Sequence, residues 1–291
     1  MIDLKVFEKF ETENHLLPFS ASRLKSFKNN KAKFFLDYVL GYPRISNARM
    51  ERGKAVEFGI DQYLLKGLEE KECVKIAQNF FKSATSFIDE DEDKQKQYDL
   101  IKPMVKQIYI NFDEFWEQSS IEKTFVGNQI HIETLIYGTP FIGFIDYIFE
   151  SEDTVYIVDL KTKDKFLLTN DDKLQMAIYK KAFQEKTSKN INCSFLLATG
   201  KEPRRKDQKV CDFVPFIPDY DYIGEAETHL KSLEHTLKLA NSIDDLKILF
   251  SPKLDDYEWK DEDAKKEQAR SLGNMRPTHV VFVEENTLKT I

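Results

Sequence analysis

Two aspartates set inside apolar, strand-like runs constrain this chain more than any other feature. Asp146 lies within FIGFIDYIF (141–149), and Asp159 lies within TVYIVDLK (154–161). A carboxylate in such a run costs free energy unless something pairs with it. Side chains alternate along a strand, so Asp159 and Lys161 point to the same face. The polar turn Glu150-Ser151-Glu152-Asp153 joins the two runs into a hairpin. If Phe149 faces Thr154 across it, Asp146 faces Ile157. Asp146 is then one diagonal step from Asp159, about 7–8 Å between backbones at most. Carboxylates so placed can share a cation, and Lys161 can reach the same ligand. The structural alternative is a buried ion pair between Lys161 and one aspartate. Such pairs contribute little net stability, so folding alone does not account for the cluster.

The rest of the pattern supplies a frame for this hairpin. Helical spacing is read over 20–40, 50–66, 71–88 and 94–118, with an acidic turn, DEDEDK, before the last. Ser20 or Ser22 caps the first helix, and Gly41 with Pro43 stops it. From residue 124 the period changes to that of strands: 124–137, a turn at Gly138-Thr139-Pro140, then 141–149 and 154–161. A helix over 171–187, strands over 193–199 and 209–217 around the basic loop KEPRRKDQK, a long helix over 220–248 and a late β-like run, HVVFVEE, complete the chain. The expected fold is a single α/β domain over 1–291 with a mixed central sheet of about five strands. Its parts are a helical N-terminal part (1–120), a core (121–220) and a helical C-terminal part (221–291).

Charge and composition narrow the function classes. With 43 basic and 50 acidic residues the net charge is −7. A protein that merely coats nucleic acid is usually basic, so this balance counts against one. An enzyme acting on DNA needs only a local basic groove. Three scattered cysteines, at 73, 193 and 211, form no CxxC pair and read as buried thiols. The N-terminus has no signal-peptide pattern and no run is long enough to span a membrane, so a soluble, cytoplasmic protein is expected. His131 reads as a satisfied polar residue rather than a ligand. No GxxxxGK[ST] loop is present, so no helicase motor is carried by this chain.

After the hairpin, Gln175 and Tyr179 stand four apart on one helical face. Gly143-x-x-Asp146, Asp159-x-Lys161-Thr162 and Gln175-x-x-x-Tyr179, in that order, resemble the PD-(D/E)XK nuclease superfamily in its RecB-like exonuclease branch. Ser20-Ala-Ser22-Arg23-Leu24, with Phe34-Phe35-Leu36-Asp37-Tyr38-Val39-Leu40-Gly41, is similar to the opening segment of that branch. Arg52-Gly53-Lys54-Ala55-Val56-Glu57 looks like its next motif, and Pro252 with Tyr257-Glu258-Trp259 is a vaguer echo. In many RecB-like members the residue matching Glu57 is His. Glutamate is common elsewhere in the superfamily and is a hard oxygen ligand suited to Mg²⁺.

The resemblance implies a restriction-endonuclease-like core and a metal-dependent DNA exonuclease of recombination, repair or phage-type genome processing. A structure-specific or single-strand endonuclease and a non-catalytic DNA-binding subunit are the alternatives. Glu57, Asp146 and Asp159 would hold Mg²⁺ or Mn²⁺, with the Leu160 carbonyl as a further ligand. Lys161 would orient water or stabilise charge on phosphorus, and Gln175 and Tyr179 would position it. No iron–sulfur cluster is expected, because the four cysteines that hold one in some relatives are absent. DNA is the expected substrate, and Arg23, Lys25, Arg52 and Lys54 are candidate DNA contacts on the first helices. A helicase or a single-strand annealing protein is a candidate partner. No oligomeric interface is legible.

Overall fold

The structure is a computed structural model that describes residues 1–10, 16–41, 46–89, 91–117, 124–205 and 208–250. In chain order its elements are α1 (Lys5–Glu8), α2 (Ala21–Asn29), α3 (Lys31–Phe34), a π-helical turn (Phe35–Val39), α4 (Ala48–Lys66), α5 (Glu70–Ala84) and α6 (Glu92–Glu117). Then follow β1 (Thr124–Ile136), β2 (Thr139–Glu150), β3 (Thr154–Thr162), α7 (Asn170–Gln184), β4 (Asn190–Ala198), β5 (Cys211–Pro215), α8 (Tyr222–Leu239) and α9 (Ile243–Leu249). The strands form one mixed sheet in the order β1-β2-β3-β4-β5. β3 and β4 are parallel, with α7 as their crossover, whereas β2–β3 and β4–β5 are antiparallel. This is the restriction-endonuclease-like mixed sheet with flanking helices.

The chain divides into two compact units. One comprises residues 1–44, 133–142 and 221–291, and the other comprises 45–132 and 143–220. In the first unit, Phe7, Phe19, Phe27, Phe34, Phe141 and Phe250 are all buried. Phe27 and Phe34 meet edge-on with centroids 5.4 Å apart, the geometry that ring quadrupoles favour. The second unit packs α4, α5 and α6 onto the sheet through Val56, Ile60, Phe81, Ile108, Phe112 and Phe149. Its glycine at 59 permits this packing: a Cβ there would stand 2.8 Å from the Cys73 carbonyl oxygen of α5.

Several expected boundaries move. The helix expected over 20–40 breaks at Asn30, whose backbone is extended and whose side chain accepts from the Lys33 N–H to start α3. Asparagine offers that local hydrogen bond in place of continued helix. Ser20, not Ser22, is the cap of α2. The helix expected over 220–248 breaks at residues 240–242, where Ser242 and Asp245 form a capping box for α9. The β1–β2 turn is Tyr137-Gly138, both with left-handed φ (52° and 78°), so Thr139 and Pro140 already belong to β2. Helix α6 begins at Glu92, inside the acidic stretch expected to be a turn. The late β-like run and the echo at 252–259 lie outside the described residues.

Candidate active site

The β2–β3 hairpin is tighter in register than expected, by two residues. Ser151 N–H bonds the Thr154 carbonyl at 2.9 Å, and Glu150 pairs with Val155, Phe149 with Tyr156 and Tyr147 with Val158. Because the slip is an even number, the face of every side chain is unchanged. Continued one residue, this ladder sets Asp146 opposite Asp159 instead of diagonal to it. The Leu160 N–H donates to Asp146 Oδ2 at 2.7 Å and fixes that carboxylate.

Asp159 is 1% exposed, and neither of its oxygens accepts a well-aligned hydrogen bond. Its compensation is the Lys161 ammonium, 2.6 Å from Oδ2. Lys161 also donates to Gln175 Oε1 at 3.3 Å. Gln175 Nε2 donates to the Tyr179 hydroxyl at 2.6 Å, which donates to the Phe144 carbonyl at 2.8 Å. Strand β3, helix α7 and strand β2 are thus joined by one directional chain of donors ending two residues from Asp146. Lys163 extends this tie: it pairs with Asp172, which closes the Thr169 capping box at the start of α7.

Glu57 comes from α4. Its carboxylate accepts from the Gln129 side-chain amide, and the same Nε2 lies 3.3 Å from Asp146 Oδ1. Gln129 sits in β1 with φ 48°, in the left-handed region. Glu57 and Asp61 stand four apart on α4. Sequence reasoning missed both Gln129 and Asp61. The i,i+4 spacing could have flagged Asp61, but nothing in the sequence flags a left-handed glutamine within a strand.

The electrostatics follow from crowding. Burial, then the neighbouring Asp61 charge, pushes the Glu57 carboxyl above its ordinary range. Burial and the Asp159 charge push Asp146 well up. Burial also raises Asp159, against the opposing pull of Lys161. For Lys161 burial alone would lower the ammonium pKa, but Asp159 and Asp146 outweigh it and hold the group above its ordinary value. Lys161 is therefore a fixed cation at neutral pH. Burial, then the Asp159 charge, raises the Tyr179 phenol, which stays a protonated donor.

Among the described residues, no three His, Cys, Asp or Glu side chains form a ready-made metal shell. Glu57 and Asp146 meet through Gln129, and Asp159 is held by Lys161. The donor set nonetheless suits a hard divalent cation such as Mg²⁺: three carboxylates share one ammonium, and the buried Asp159 oxygens have no well-aligned hydrogen bond beyond that ion pair.

The expected DNA contacts fare unevenly. Arg52 is 3% exposed, with its guanidinium bound to Gln97 (2.6 Å), Asp164 (3.1 Å) and the Thr162 carbonyl (3.2 Å). It is an internal cross-tie, which does not suit a DNA-facing role. Lys54 is exposed and pairs with Glu51 at 2.7 Å. In the other unit, Lys25 is exposed and Arg23 donates to the Pro18 carbonyl at 2.6 Å. His131 packs on Phe144 with ring centroids 5.2 Å apart. The three cysteines are free. No helix of the described residues is long and apolar enough to cross a membrane.

Comparison with known proteins bears on this geometry. The sequence profile of the PD-(D/E)XK nuclease superfamily matches residues 18–255. No curated protein matches the chain. Among solved structures, a protein of Eubacterium rectale provisionally named an exonuclease is similar at 15% identity and TM-score 0.48, over 76% of this chain and 81% of that one. The protein SSO0001 is similar at 14% identity and TM-score 0.29, over 76% of this chain and 86% of that one. With a matched span that takes in both halves of the acidic hairpin and the helix behind it, the chain belongs to the PD-(D/E)XK nuclease superfamily.

Proposed function

We propose that this protein hydrolyses phosphodiester bonds of DNA as a divalent-metal-dependent exonuclease, within one catalytic domain, in recombination, repair or phage-type genome processing. One observation carries the reading: Asp146 accepts from the Leu160 N–H at 2.7 Å, beside Asp159, whose carboxylate lies 2.6 Å from the Lys161 ammonium, in a chain of nuclease ancestry.

Glu57, Asp146, Asp159 and the Leu160 carbonyl would hold Mg²⁺ or Mn²⁺. The bound cation would polarise the scissile phosphate and lower the pKa of a water. Lys161 would orient that water or stabilise the charge growing on phosphorus. The water oxygen would bond to phosphorus as its proton passes to solvent, the bond to the 3′-oxygen would break, and that oxygen would take up a proton from solvent, giving a 5′-phosphate and a 3′-hydroxyl. Gln175 and Tyr179 position the lysine. A cleft of about 440 Å³ beyond the end of β3 is lined by Arg49, Lys163, Asp164 and Lys165 among others; Arg49 pairs with Asp164 and Lys163 with Asp172, and this cleft is a candidate path for a phosphate backbone.

The test is digestion of end-labelled linear duplex and matched closed-circular DNA with Mg²⁺, comparing wild type with Lys161→Ala. Loss of linear DNA alone, abolished in the variant, is the expected result. Cutting of the circle would replace the exonuclease reading with an endonuclease. Inertness of both proteins on duplex, single-stranded DNA and RNA would overturn the catalytic reading altogether.

A further inference from the structure

Gln129 combines two features that call for an explanation. Its backbone is left-handed, φ 48°, a conformation unfavourable for a side chain with a Cβ. It is also exposed, so apolar burial does not compensate. What the conformation achieves is the position of one NH₂ group. Its two hydrogens face two acceptors from different elements, Glu57 Oε1 of α4 and Asp146 Oδ1 of β2, the latter at 3.3 Å. These are two of the three carboxylates assigned above to the metal, and a cation would claim the same oxygens.

We propose that Gln129 is a positioning residue that holds Glu57 and Asp146 together in the metal-free protein and is displaced when a divalent cation binds. The inference rests on the metal-site reading under Proposed function. Contacts made only in the metal-free state must weaken metal binding by the free energy they contribute. Gln129 thus sets how much free cation is needed to load the site, while keeping two crowded carboxylates from repelling the helix off the sheet.

The test is calorimetric titration of Mn²⁺ into the full chain without DNA, for wild type, Gln129→Leu, Gln129→Gly and Asp159→Asn. Both Gln129 variants should bind Mn²⁺ about tenfold more tightly, the scale of losing a hydrogen bond to a charged acceptor. Gln129→Leu should also lower the melting temperature of metal-free protein more than that of Mn²⁺-saturated protein, which a merely structural residue would not do. Gln129→Gly accepts the left-handed backbone without strain and carries the test if the leucine variant does not fold. Weaker Mn²⁺ binding would make the amide oxygen a ligand, and unchanged binding would make Gln129 a bystander; either overturns the proposal. Loss of Mn²⁺ binding in folded Asp159→Asn supports the metal-site reading whatever Gln129 does. Wild type that binds no Mn²⁺ overturns both.

Discussion

Gly143 and Tyr179 share one space. A Cβ on Gly143 would stand 2.6 Å from Tyr179 Cε1, so the phenol ring reaches the Phe144 carbonyl only because residue 143 has no side chain. Gly143→Ala should therefore displace the ring and with it the support of Lys161. A destabilisation of about 1–3 kcal/mol is expected from overpacking. Cleavage should fall by more than that loss of folded protein explains. Denaturant melts and rates on the same preparations decide this, and an alanine variant with normal rates would show that the ring's place is unimportant.

Tyr179→Phe separates the hydroxyl from the ring. The phenylalanine keeps the packing and loses both hydrogen bonds, to Gln175 and to the Phe144 carbonyl. The expected stability loss is about 1 kcal/mol. Turnover should drop about 10- to 100-fold, the usual scale for groups that orient a catalytic side chain. Steady-state kinetics should place the loss in kcat rather than KM.

Lys161→Ala should reduce cleavage by at least about 10²-fold, since it removes the fixed positive charge at the site. DNA binding in Ca²⁺ should be nearly unchanged, because phosphate contacts are spread over many side chains. Fluorescence anisotropy against a labelled duplex measures the second quantity. A variant that lost binding and cleavage in parallel would assign Lys161 to DNA affinity alone.

The raised carboxylates predict a pH dependence with a definite sign. Glu57, Asp146 and Asp159 hold their protons more strongly folded than unfolded. Above the ordinary values of 3.8 for aspartate and 4.5 for glutamate, the unfolded chain releases these protons first. The cluster therefore destabilises the metal-free fold increasingly as pH rises through the raised values. Asp164 and Asp172, whose pKa values are lowered, act in the opposite direction, so the comparison must be between variants. Asp146→Asn should melt above wild type without metal, and the gap should widen from pH 5 to pH 8. A gap of about 1 kcal/mol corresponds to roughly 2–4 °C. A gap that narrows as pH rises would contradict the crowding described here.

Much of this was legible in the sequence because it rests on short-range periodicity. Period-two alternation placed Asp146, Asp159 and Lys161 on one face, and the conclusion survived a register two residues from the one assumed. The spacing of Gln175 and Tyr179 placed both on the inward side of α7. What escaped depends on tertiary context. Asn30 and Ser242 interrupt helical patterns through local hydrogen bonds that periodicity does not register. Arg52 resembles a DNA contact until α6 and the end of β3 close around it. Gln129 acquires its meaning only from Glu57, 72 residues away.

Lys163, Asp172 and Thr169 lock the start of α7 to the end of β3, and Asp172 accepts from the Thr169 N–H and hydroxyl at 2.7 Å each. None of the three belongs to the Asp-x-Lys signature. Anyone transplanting that signature into another scaffold would have to carry this clasp as well. Without it the start of the helix bearing Gln175 and Tyr179 loses its tie to the strand, and the aim of the grafted lysine rests on the Gln175–Tyr179 chain and the helix's buried face alone.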